Sequence, residues 1–138
     1  MYDNALDEFA SWPMVLATAQ VIEGIRGILA AVRSDASLQP ADVTEELIMM
    51  LARDDSNPEP MDVAVCREIE DWVVENWQED SPELVDAMSA LILTCGMTRG
   101  MGLLEKAAES ANDKVRTIAQ DTLAEAVRDR LKGWKTVT

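Results

Sequence analysis

The residues with the most chemistry to offer are carboxylates. Glu68, Asp71, Glu75 and Glu79 recur at steps of three and four, which sets them along one edge of a helix. Like charges at that spacing oppose helix formation by roughly a few tenths of a kcal/mol per pair. Packing must offset that penalty, or the edge must meet a partner. As a metal site, Glu68, Asp71 and Glu75 would form an all-carboxylate Mg²⁺ cluster, and a solvated face is the plainer reading. Asp55-Ser56-Asn57-Pro58-Glu59 spaces its oxygens as a calcium loop begins, yet Pro60 stands where that loop needs Gly and Cys66 where it needs Glu. Gly96 to Gly102, GMTRGMG, is glycine-rich with Arg99 inside it. It follows a helical pattern rather than a strand and lacks the Gly-Lys-Ser/Thr ending of a phosphate loop, so it reads as a helix end and tight turn. The chain has no histidine, which removes the commonest general base and metal ligand. The sequence therefore reads as a non-enzyme with no catalytic residues, no metal ligands and no cofactor.

The acidic edge belongs to a segment, Pro60 to Pro82, that reads as one long amphipathic helix. Val65, Ile69, Trp72, Val73 and Asn76 fall on its apolar face, flanked by Met61, Cys66 and Trp77. Trp72 lies at the boundary between that face and the acids, either as a core anchor or as a contact for a partner.

Around it the chain alternates apolar stripes with short breaks. Asp3 to Phe9 forms a short helix interrupted at Trp12-Pro13. A second helix runs from Met14 to about Val32, with Ser11 as its cap and Pro13 in its first turn. Val15, Thr18, Ile22, Ile25, Leu29 and Val32 make its main stripe, while Val21 and Ile28 add apolar surface beside it. Gly24 and Gly27 weaken a helix interior, so close packing is their expected purpose. Pro40 to Arg53 is a third helix. Ser81-Pro82-Glu83 is a strong start signal, and Gly96 ends the helix that follows. Thr98 to Ser110 and a last helix capped by Asn112 complete the series, with Gly133 expected to end it.

This pattern predicts an all-α fold: a compact antiparallel bundle of about six helices in a single domain spanning residues 1–138, with 1–10 and 133–138 as frayed tails. Cys66 and Cys95 sit inside apolar stripes and behave as small hydrophobes. Two scattered cysteines make no disulfide framework, MYDNALDEFASW has acids where a signal peptide needs Lys or Arg and then an apolar run, and no stretch approaches about 20 apolar residues, so a cytoplasmic location is expected.

Charge is lopsided. Of a net −14, residues 35–86 carry sixteen acids against only Arg53 and Arg67, whereas residues 87–138 carry six acids and eight bases. Such a field repels nucleic acid and membranes and attracts a basic partner.

Two C-terminal segments resemble the first helix of a HEAT or armadillo-type repeat. Val85, Ala87 and Leu91 match in SPELVDAMSAL, and Val115, Arg116, Ala119 and Leu123 match in NDKVRTIAQDTL. The likeness spans residues 80–131 and implies HEAT-like stacking there and protein binding rather than chemistry. The leading expectation is an acidic protein-binding module, most concretely an inhibitor or immunity-type protein that neutralises a basic toxin or nuclease through residues 40–80. Its contact residues would be Glu68, Asp71, Trp72, Glu75 and Glu79. Two alternatives are a homodimer built on the surplus of Val21 and Ile28, and a nucleic-acid mimic.

Overall fold

A computed structural model of the chain describes residues 5–55 and 62–137 and, in the last helix, side chains as far as Arg128. Among these residues it is all-α: seven helices and no strand. The helices are α1 (Ala5–Ala10), α2 (Thr18–Ser34), α3 (Pro40–Ala52), α4 (Val63–Asn76), α5 (Pro82–Cys95), α6 (Thr98–Ala107) and α7 (Asp113–Val137). They form two compact units, the first ending at Trp72 and the second beginning at Val73.

In the first unit, α1, α2 and α3 pack on one another. The buried face of α2 is Val21, Ile25, Ile28 and Leu29, and that of α3 is Val43, Leu47, Met50 and Leu51. Val21 and Ile28, the surplus on which a homodimer was expected to rest, are fully buried within the chain. The two glycines of α2 mark close approaches, as their sequence positions predict. A Cβ on Gly24 would stand 2.6 Å from Met50 Sδ, and one on Gly27 would stand 2.8 Å from the Phe9 ring.

Leu6 and Phe9 of α1 are buried, so residues 5–10 are a packed helix rather than the loose tail the sequence predicts. The start of α2 also differs. Residues 13–17 are not helical, because Leu16 pairs its backbone with the far end of α3. Its N–H donates to Arg53 O at 2.7 Å, and its carbonyl accepts from the Asp55 N–H at 2.8 Å. Ser11 caps nothing on α2; its hydroxyl donates to Glu8 O at 2.6 Å and closes α1. These bonds join residues far apart in sequence, and the local signals at Ser11 and Pro13 carry no trace of them.

α4 is shorter than the 60–82 segment predicts. Asp62 accepts from the N–H groups of Ala64 and Val65, at 2.8 and 3.3 Å, and so caps the helix. Its apolar face is as expected, with Val65, Ile69, Trp72 and Val73 buried.

The second unit packs α5, α6 and α7 together. Ser81 Oγ accepts from the Leu84 N–H at 3.4 Å, Pro82 is the first helical residue, and Gly96 ends α5 at φ 62°. Glycine suits that left-handed position because it has no Cβ to collide with the carbonyl. Four residues on, Gly100 lets α6 close on α5: a Cβ there would stand 2.7 Å from Ile92 Cγ1. The Gly96–Gly102 stretch is thus a helix end and a close helix crossing. Asn112 caps α7 by accepting from Lys114 N–H and Val115 N–H, at 3.0 and 3.3 Å. α7 continues past Gly133 to Val137, so the predicted stop there is incorrect; one glycine costs about 1 kcal/mol and does not by itself break a helix.

Candidate partner-binding surface

Three of the five expected contact residues lie on α4 as spaced carboxylates. Asp71 and Glu75 are exposed. Glu68 is half-exposed, and its Oε2 accepts from Arg26 Nε of α2 at 3.1 Å, an ion pair open to solvent on both sides. Such a pair is worth at most about 1 kcal/mol, and Asp71 and Glu75 are the more exposed carboxylates of the helix. Glu79 is not on α4 but in the turn before α5, half-buried and within the second unit.

Trp72 is only 7% exposed. It anchors the core behind the acids rather than standing among them, because the 100° step from Asp71 turns it onto the apolar face.

Not every acid of residues 35–86 contributes to the surface. Glu46, Asp54 and Glu70 are buried, so the external field comes from the remainder. Asp35, in the turn after α2, is tied to its own loop. The Ser37 hydroxyl, 2.5 Å from its carboxylate, and then the Ser37 N–H hold its carboxyl below the ordinary range. The calcium-like run at residues 56–59 lies outside the described residues. Among the described residues, no three acids or cysteines are placed to hold one metal ion, and Cys66 and Cys95 are half-buried thiols.

Sequence reasoning missed a buried polar strap at the end of α3. Arg53 is 3% exposed and donates from Nη1 to Phe9 O at 2.8 Å and from Nη2 to Ala10 O at 3.5 Å. It thereby takes up carbonyls at the end of α1, where a cation is favoured. The neighbouring Asp54 accepts from Thr18 Oγ1 at 2.8 Å, at the start of α2. Its only trace in sequence is that Arg53 is one of just two bases among residues 35–86 and directly follows an apolar stripe.

The second unit carries a furrow along α5 and α7. Its wide end, about 960 Å³, lies between the two helix starts, with Pro82 on one side and Asp113 on the other. A narrower stretch of about 410 Å³ continues past Asp86, Leu93 and Glu125. A third, of about 360 Å³, ends at Gly96 and Ala126. α5 and α7 therefore run side by side in the same direction, with α6 packed on both.

No known protein family, curated protein or solved structure matches this chain. Among the described residues, no helix is long and apolar enough to cross a membrane.

Proposed function

We propose that the chain is an acidic protein-binding module that takes a basic protein as its partner. In its most concrete form it is an inhibitor or immunity-type protein that neutralises a basic toxin or nuclease in the cytoplasm. The observation that carries this reading is the pair Asp71 and Glu75, exposed on a helix whose opposite face is fixed by buried Val65, Ile69 and Trp72. Carboxylates on a rigid element present a constant field, which speeds encounter with a cationic surface and selects the partner more than it adds affinity. The parallel course of α5 and α7, with α6 packed on both, supports the HEAT-like part of the reading, in which successive helix pairs stack to form binding surfaces.

The test is retention of host proteins on the immobilised chain at low and moderate salt, with Asp71→Lys/Glu75→Lys in parallel. A basic protein held by the wild type, released by moderate salt and lost by the variant is the expected result. Equal retention by both forms would reduce the α4 acids to a solvated face.

A further inference from the structure

The furrow along α5 and α7 is a docking surface of defined shape, and we infer that it receives an amphipathic helix bearing Lys and Arg along its flanks. This rests on the proposed basic partner and adds a second contact for it, in the second unit, with the form of the segment bound there. Three observations support it. First, the furrow is continuous: Asp86 lines both its first and second stretches, and Leu93 lines both its second and third. It follows α5 from Pro82 to Gly96, about 21 Å at 1.5 Å per residue, the length of a four-turn helix.

Second, apolar side chains recur along its floor, whose middle also holds buried Ser89 and Thr122 with their hydroxyls donated to Val85 O and Ile118 O. Pro82, Ile118, Leu93, Met101 and Ala126 are all half-buried and face the furrow in succession, which suits the apolar stripe of a helix laid into a groove. Third, its walls are predominantly acidic. Asp80, Glu83, Asp86 and Asp113 border the wide end and Glu125 and Glu105 the narrower stretches, against Lys114. Glu83 and Asp113 also stabilise the first turns of α5 and α7, but Asp80, Asp86, Glu105 and Glu125 lie outside those turns. An apolar floor between acidic walls is complementary to an apolar stripe between basic flanks.

The probe is an acetylated, amidated 15-residue helix of Leu and Lys, titrated into the full ¹⁵N-labelled chain. Amide shifts should concentrate in residues 78–94 and 113–126. Glu83→Lys/Asp86→Lys should weaken binding by about tenfold or more, and Asp71→Lys/Glu75→Lys by less than about twofold. Thr117→Trp fills the exposed wall of the furrow without altering charge and should weaken binding comparably; undisturbed amide dispersion elsewhere shows that each variant folds. Binding lost in the charge variant but kept by Thr117→Trp would mean general attraction to an acidic protein and overturn the inference. So would an absence of binding, or dimerisation of the free chain through these amides. Shifts confined to α4 would overturn the furrow while leaving the basic-partner reading intact.

Discussion

Replacing Arg53 with Met separates two opposed effects at a buried guanidinium. Desolvating a charge is costly, and apolar replacements of buried ions are sometimes neutral or stabilising. Here the guanidinium is the donor to Phe9 O at 2.8 Å and to Ala10 O at 3.5 Å. Met fills much of the same space but leaves those carbonyls without their donor. The shorter bond involves a charged group and is worth about 1.5–3 kcal/mol, whereas the longer one is near the limit of a hydrogen bond and adds little. Arg53→Met should therefore destabilise the first unit by about 2 kcal/mol, and Arg53→Ala by about 1 kcal/mol more through the space it vacates. The assay is native-state amide exchange at Leu16 and Asp55, whose N–H groups bond across the strap. Because about 1.4 kcal/mol is a tenfold change in the opening equilibrium, their exchange should accelerate roughly thirtyfold in Arg53→Met. Unchanged or slower exchange would show that desolvation outweighs the bonds and that the strap does not hold α1.

Gly24→Ala removes a helix-weakening glycine but places its Cβ 2.6 Å from Met50 Sδ. Overpacking should win by about 1–2 kcal/mol; Met50→Ala alone should cost about 2–5 kcal/mol, and in a thermal melt the double variant should lose less than the sum of the two, so that the changes are non-additive. Gly96→Ala meets no neighbour, yet its φ of 62° penalises any Cβ; chemical denaturation should show a loss of about 1 kcal/mol. Asp35 has a folded pKa held below its unfolded one by Ser37, so the stability it contributes is present above the ordinary carboxylate range and lost as pH falls through the folded pKa. Ser37→Ala should move the Asp35 titration upward, toward the ordinary value, when followed by NMR.

Where local chemistry decides, the sequence was readable. Ser81-Pro82 and Asn112 start helices and Gly96 ends one because their side chains, or the lack of one, act within a turn of their own position. The buried stripe of α4 follows from a 3.6-residue period that depends on nothing distant. The start of α2 was illegible because a carbonyl and an amide nearly forty residues away decide it. The end of α7 was misread because helical continuity outweighs a single glycine. Of the candidate site, the carboxylate spacing was visible, as was the choice of roles for Trp72. The furrow was not, since no periodicity tells which two non-consecutive helices lie abreast.

The bond between Leu16 and the end of α3 also sets an order of events. Residues 16 and 54 close a loop of nearly forty residues, and the entropy of closing it must be lost before any of its bonds form. α2 and α3 are adjacent in the chain and meet through a short turn, so their pairing is the early step. α1, with six residues, is too short to hold a helix alone and gains its carbonyl partners only when Arg53 arrives. The α2–α3 hairpin is thus expected to nucleate the first unit, with the N-terminal helix fastened later. Changes at Arg53 or Phe9 should consequently speed unfolding and leave the folding rate almost untouched.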